Sequence, residues 1–522
     1  VYLKVTKYKY KGKWYRHAKI VEGYRVGSKV KHRTLVNIGK IKSDEDLERA
    51  KDLLESMKRG ETLIKLKDLK VESVLEYGLV HTGQQLWEKL GLGKVLSEAV
   101  EGRRNKFDFP SISLLLAMNR FYKPSSEREA YEWMKNEAFH DVHVEPQYLY
   151  RSLDLLAENK DRIERGFFEK IRDKVGLNTD LVFYDLTSTY FEGEGPEIAE
   201  HGYSRDHRPD RKQVVIGVVM CSGIPIAHRV WSGSTADRST LKAAVADIKG
   251  RFQVDRAIFV ADRGVFAVKN LEELEGGGFD YIISTKRRNN RFLQELLARP
   301  VEKVRTVKVE GKRRYILCLN PEVREQTLEN LNYLKREAEE KFEQLNVELA
   351  GSKKKGDLLN KLVKKTIGNA SKFFGWELSD GKFSYHLKKE VWDYERAIAG
   401  KLLLVTSSGL RPQKVEEAYR ELKVVEQFFD DLKHLVSVRP VYHTADRRVG
   451  GHVFVCVLAL LLKRLIDRKL GTSGSQAIKE LKRIKMIKCM IGDEEMFIPT
   501  RLTETQKSIF QKLEIEESRG IL

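Results

Sequence analysis

Residues 181–193 read LVFYDLTSTYFEG. An apolar run, Leu181-Val182-Phe183-Tyr184, leads into one acid, Asp185, and then into Thr187, Ser188, Thr189, Tyr190 and Phe191. β-Branched and aromatic residues dominate, which predicts a strand. A carboxylate inside such a strand is costly to bury unless it is paired or binds a metal. Asp185 therefore either caps a turn at a strand end or has partners elsewhere in the chain.

The bulk properties narrow the partners. A chain of 522 residues suggests two to four domains and ample core. The formal net charge of +20 and a pI near 9.4 favour polyanions, chiefly nucleic acid or an anionic membrane surface. Cys221, Cys318, Cys456 and Cys489 are far apart, with no CxxC, which argues against a zinc ribbon or a disulfide framework and for a reducing cytoplasm. The first 20 residues are basic and aromatic without the apolar core of a signal peptide. The longest apolar run, Val453 to Leu462, is shorter than the roughly 20 residues that span a bilayer, so a buried helix is expected there and no membrane partner.

Along the chain, residues 1–42 hold thirteen Lys or Arg against one acid, Glu22, interleaved with Tyr2, Tyr8, Tyr10, Trp14, Tyr15 and Tyr24. Strand-like runs flank a turn at Lys11-Gly12, and a third follows Gly27-Ser28. Such a sheet suits contact with a DNA backbone; the alternative is a solvated leader. Ser43-Asp44-Glu45-Asp46 is a capping pattern that opens a helix to about Lys58. This makes 1–68 a basic β-rich leader plus helix. Residues 69–175 read as helical, for DNA binding or dimerisation, with helices over Ser126–Asn136 and Leu149–Lys174 among others. From 176 the order is β-β-β-α-β-α-β, with Asp185 in the first strand and Asp262 just after the fourth. Residues 286–400 read as an insertion with a hairpin at Gly311, a heptad-like run (Leu328, Leu331, Ala338, Phe342, Leu345, Leu349), a turn at 351–356 and a second hairpin at Asp380-Gly381. Residues 401–470 return to the core through the strand Lys401–Ser407, one helix over 413–434 and an apolar helix over Arg447–Lys469. Residues 471–522 form a polar tail without a motif.

Two acids on neighbouring strands and a later acidic helix are what two-metal phosphoryl chemistry requires, because two Mg²⁺ ions about 4 Å apart need carboxylates from separate elements. Asp262 follows Asp185 by 77 residues, room for a strand pair, a helix and a return strand. On the late helix, Tyr419, Glu426 and Lys433 are spaced by seven and so fall near one stripe. That stripe either offers a carboxylate between two phosphate-binding groups or is a solvated face. His201, Asp206, His207, Asp210 and Cys221 fit no standard zinc spacing. Arg447-Arg448, Lys463-Arg464 and His443 stand open between phosphate contact and packing; for Asp430 and Asp431 solvated charge is favoured.

The segments FYDLTSTYFEG (183–193), GYSRDHRPDRKQ (202–213), VADRGVF (260–266), VEQFFDDLK (425–433) and RPVYH (439–443) stand in this order. In them the chain resembles the DDE transposases of insertion sequences, in the IS-four superfamily and its sixteen-thirty-four branch. The resemblance covers roughly 180–470. It implies an α/β multidomain protein with an RNase H-like catalytic core, a mixed five-stranded sheet with flanking helices, interrupted by a β-containing and helical insertion. It implies Asp185, Asp262 and Glu426 as catalytic residues and metal ligands, with two Mg²⁺ ions (Mn²⁺ as substitute). It matches Tyr419 and Lys433 to a DNA-contacting signature whose basic position falls here on Leu422, with Arg420 and Lys423 beside it; Arg205 and Arg439 are further candidate DNA contacts. The expected partners are double-stranded DNA, both element terminal inverted repeats and target, and a second copy of the chain in synapsis. The expected setting is a prokaryotic cytoplasm. Two other functions remain: a host-retained DNA-binding protein whose core is only structural, and a nuclease of the same fold that cuts without joining.

Overall fold

The computed structural model describes residues 1–60, 69–104, 106–254, 257–262, 268–285, 290–349, 357–379, 382–491 and 494–517. The turns expected at 351–356 and 380–381 and the motif residues 263–266 lie outside them. The chain divides into two compact units, one of 1–75, 485–500 and 518–522, the other of 76–484 and 501–517.

In the smaller unit, β1 (Tyr2–Tyr10), β2 (Lys13–Val26) and β3 (Lys29–Ile41) form an antiparallel sheet. The two-residue turn at Lys11-Gly12 has φ of 47° and 77°, the left-handed pair that matches the twist of a hairpin. α1 (Asp44–Lys58) begins with the expected box: Ser43 Oγ accepts from the Asp46 N–H, and Asp46 Oδ2 accepts from the Ser43 N–H. Its Ala50 and Leu47 pack on Ala18, Ile41, Leu3 and Ile38. Tyr8, Tyr10, Trp14 and Tyr24 remain exposed. β4 (Leu69–Glu76) is joined in a second sheet by strands Lys485–Ile491 and Glu494–Pro499. The polar tail thus contributes strands, and Lys485–Ile491 pairs edge to edge with β4, more than 400 residues earlier, a pairing that local sequence does not report.

The larger unit opens with helices α2 (Gly78–Leu90), α3 (Leu92–Ala99), α4 (Phe109–Tyr122), α5 (Glu127–Asn136), α6 (Pro146–Glu158) and α7 (Lys160–Ile171). The long helix expected over Leu149–Lys174 breaks at Asn159, whose φ of −107° leaves the helical region. Next come β5 (Leu181–Tyr190), β6 (Gln213–Cys221), β7 (Ile224–Ser232), α8 (Asp237–Ala246), β8 (Ile258–Ala261), α9 (Val268–Gly276) and β9 (Asp280–Ser284), in the expected order. α10 (Arg291–Ala298), β10 (Val304–Glu310) and β11 (Arg313–Leu319) follow, and then α11 (Pro321–Glu348) and α12 (Asp357–Ile367). The chain continues through β12 (Phe374–Ser379), β13 (Lys382–Leu387), α13 (Lys389–Ile398) and β14 (Lys401–Thr406). The apolar positions of α11 do not wait for a partner: Phe342, Leu345 and Leu349 pack with α12 and the β12–β13 hairpin, and the Phe342 ring stacks on Tyr385 at 4.2 Å.

The central sheet is larger than the five strands expected. Its order is β10-β11-β14-β9-β8-β5-β6-β7, because the Gly311 hairpin, read as insertion, pairs with β14 and extends the sheet to eight. β5, β8 and β9 run parallel at its centre, and β6 and β14 are antiparallel to them. Every residue of β6 is buried, as its unbroken apolar run demands of a strand covered on both faces. Gly217 in β6 is needed there: a Cβ would stand 2.5 Å from the Trp231 ring.

The expected single helix over 413–434 is two, α14 (Pro412–Arg420) and α15 (Lys423–Asp430), with a wider π turn over Asp431–Leu435. α16 (Asp446–Leu470) is long and apolar enough to cross a membrane, but 94% of its most apolar window is buried inside the protein. It crosses α6 so closely that a Cβ on Gly451 would meet the Leu153 carbonyl at 2.3 Å. α17 (Gly474–Lys482) and α18 (Glu504–Leu513) complete the unit.

Candidate active site

β5 and β8 are parallel neighbours with Phe183 opposite Val260. Asp185 and Asp262 each lie two residues beyond that pair, so both stand at the same level, on strands about 4.8 Å apart. Asp185 is in the middle of β5, not at a turn. Its Oδ1 accepts from the Leu186 N–H at 2.8 Å. Burial, with the negative charges of Asp262 and Glu426, pushes its carboxyl up to about 7, against the help of that N–H and of the nearby Arg205 charge.

Asp262 Oδ1 accepts two hydroxyl hydrogen bonds, from Ser284 Oγ at 2.9 Å and from Tyr419 Oη at 3.0 Å. Ser284 ends β9, one step past the Ala261–Ile283 pair, so the third parallel strand also contributes at this level. Nothing in the local sequence marked Ser284; the register of β9 against β8 was the signal. Tyr419 is on α14, and burial raises its hydroxyl pKa, so it donates as a neutral phenol. Glu426, exposed in the first turn of α15, is near enough that its charge acts on both Asp185 and Tyr419.

The break between α14 and α15 falls at Leu422, which is 4% exposed. The leucine at the expected basic position is core packing, and a charged side chain there would lose its water. Arg420 instead reaches from the surface to the mostly buried Glu416 at 2.6 Å, and Lys423 is exposed.

Lys433 and Arg439 converge on one carboxylate. Asp206, 7% exposed, receives Lys433 Nζ at 2.8 Å on Oδ1 and faces Arg439 Nη1 at 3.3 Å across Oδ2. The Arg439 guanidinium lies over the Tyr190 ring at 4.8 Å, and Arg208 over the same ring at 5.2 Å. The Arg205 N–H donates to Ser188 Oγ at 3.0 Å, which ties the polar loop to β5. Asp206 was read only as part of an improbable zinc set, and its bracketing role escaped notice. Asp210 is taken by Arg208, and Cys221 is buried in β6, so that set is not assembled.

Other charges resolve into packing. Lys463 is fully buried between Asp431 at 3.1 Å and Asp467 at 3.0 Å, so Asp431 is not the solvated charge expected. Arg447 and Arg448 pair with Asp154 on α6.

Residues 178–462, more than half of the chain, match the family model of the transposase DDE domain. Residues 3–65 match the model of the IS1634 family transposase, N-terminal domain. No curated protein matches the chain. A solved structure of the piggyBac transposase synaptic complex with hairpin DNA is similar at 10% identity and a TM-score of 0.37, over 79% of this chain and 82% of that one.

Proposed function

Since the chain belongs to the DDE transposases, in their IS1634 branch, we propose that it cuts and joins DNA at the ends of its own insertion sequence, with Asp185, Asp262 and Glu426 as the acidic centre. The observation that carries this reading is the common level of Asp185 and Asp262 on adjoining parallel strands, with Glu426 in their field. The strands β7-β6-β5-β8-β9 would then be the RNase H-like part of the larger sheet.

The acids fit a divalent ion on the chemistry of their donors. All are hard carboxylate oxygens, the set that suits Mg²⁺ or Mn²⁺, and the burial and the mutual repulsion that raise Asp185 are what a cation would offset. Bound there, two such ions would stabilise charge on the attacking and leaving oxygens of an in-line displacement at phosphorus. The chain's own residues do the rest. Ser284 and Tyr419 fix the Asp262 carboxylate from two sides, leaving its other oxygen directed by that clamp. Lys433, Arg439 and Arg205 supply positive charge beside the acids for DNA phosphates, and Arg420 and Lys423 supply it on the exposed side of the helix pair. The basic sheet β1–β3, with its exposed aromatics, would hold the terminal repeats, and residues 69–175 would serve DNA binding or dimerisation in a two-ended synapse. The cytoplasm is the proposed setting.

The inactive reading rests on Leu422 and on the basic leader; burial accounts for Leu422 by packing, and the leader is common to both readings. The test uses double-stranded oligonucleotides carrying the element ends. Wild type with Mg²⁺ should cleave them and, from a pre-cleaved end, join them to target. Asp185→Asn that still cleaves and joins at the wild-type rate refutes the assignment; cleavage without joining by wild type leaves the nuclease reading.

A further inference from the structure

A second group of metal-type ligands lies away from the acidic centre, where the helical region meets the C-terminal part of the core. Glu127 is the first residue of α5, His443 sits in the connector before α16, and His452 lies on α16. They are 2%, 6% and 1% exposed. Their ligand atoms all lie within 4.8 Å of one another. Glu127 Oε2 is 3.1 Å from His443 Nε2, and Glu127 Oε1 is 3.9 Å from His452 Nδ1. Ligands around a tetrahedral ion with bonds of about 2.0–2.1 Å stand about 3.3–3.4 Å apart, so these separations bracket the requirement.

Two further observations point to an ion. Glu127 Oε1 and His443 Nε2 are buried without a hydrogen bond of normal geometry, although each is a strong polar atom. His452 Nε2 lies 3.0 Å from the Val438 carbonyl, to which it donates; the lone pair of Nδ1 then faces the cluster, the arrangement by which carbonyls orient metal-binding histidines. Two imidazoles and one carboxylate make a three-ligand set of the type that holds zinc.

We propose that Glu127, His443 and His452 bind one Zn²⁺. The ion ties α5 to α16 and to the connector Val436–Ala445, which also carries Arg439 toward Asp206 and Tyr190. It thus holds a phosphate-binding arm at a fixed distance from the bundle, and it is separate from any ion at the three acids. The competing occupant is the Arg120 guanidinium, 3.7 Å from Glu127 Oε1 and 3.4 Å from His452 Nδ1, which would make the cluster an ion-pair network with no metal.

The full chain, purified without chelator, should carry about one zinc per chain by mass spectrometry of the metal, and Co²⁺ in its place should give visible ligand-field absorption bands. Glu127→Gln and His452→Asn should each hold below about one-tenth of an ion per chain and lose the cobalt bands, whereas Asp185→Asn should retain both. Glu127→Gln is close to isosteric, which keeps the test valid should His452→Asn fail to fold. The proposal is overturned by wild type that holds no zinc and gives no cobalt band. It is equally overturned by zinc that survives in both ligand variants.

Discussion

Two buried acids in the larger unit, Asp185 and Glu164, are treated in opposite ways. Glu164, on α7, is surrounded by Lys160 Nζ at 2.7 Å, Arg251 Nη1 at 2.7 Å and His228 Nδ1 at 2.7 Å. Its burial is outweighed by the charges of Lys160 and Arg251 and by the His228 hydrogen bond, which hold its carboxyl well below the usual range. Asp185 has no cation in hydrogen-bonding contact among the described contacts, and its neighbours are two more acids. Glu164 is a satisfied joint between α7, β7 and the turn after α8. Asp185 is a charge held against its preference, the condition expected of a site built to receive a cation.

The sharpest break of the comparison is in activity. Asp185→Asn or Glu426→Gln should lower strand cleavage by at least about a thousandfold in a single-turnover assay, whereas Glu164→Gln should leave the chemistry of any folded fraction intact. Stability should move the other way. Glu164→Gln removes the buried charge shared by Lys160 and Arg251 and should cost about 3 kcal/mol, read as a lower denaturation midpoint. Asp185→Asn in EDTA should raise stability at pH 8 by about 2 kcal/mol, half of what the full displacement of its pKa corresponds to, since the side chain keeps some solvent.

The pH dependence carries the sign of each shift. The Asp185 pKa is raised, so the metal-free fold loses stability as pH climbs from about 4, the unfolded value, through 7. The gain from Asp185→Asn should therefore vanish near pH 4 and be complete by pH 8. The Glu164 pKa is depressed, so its contribution is present above about pH 4.3 and is lost as pH falls below that. A gain from Asp185→Asn that does not change between pH 4 and 8 would remove the contrast.

Smaller effects refine it. Tyr419→Phe removes one of the two hydroxyls on Asp262 and should slow cleavage about tenfold with DNA affinity unchanged. Arg420→Ala leaves the mostly buried Glu416 carboxylate without its 2.6 Å partner and should cost about 1 kcal/mol. A several-fold loss of DNA affinity in that variant would show that Arg420 takes over the role of the missing basic residue at Leu422.

Much of this contrast was legible in the chain. Strand β5, with an acid in an apolar β-branched run, was read correctly because alternation and burial act over a few residues. The capping box at Ser43 and the turn at Lys11-Gly12 were legible for the same reason. The helix break at Leu422 was not, since a seven-residue stripe looks continuous whether or not one residue turns inward to the core. Asp206 was missed because its partners, Lys433 and Arg439, are more than 200 residues away, and Ser284 because its role depends on strand register.

The sequence by itself determined the local elements, the basic charge, and the identity and order of the acids, because those follow from short-range periodicity and side-chain chemistry. Only the tertiary structure decided that Asp185, Asp262 and Ser284 share one level, that the sheet runs to eight strands, and that Glu127 meets His443 and His452. Those depend on which distant strands and helices bury one another's faces, a choice made by packing over the whole unit and written in no single stretch.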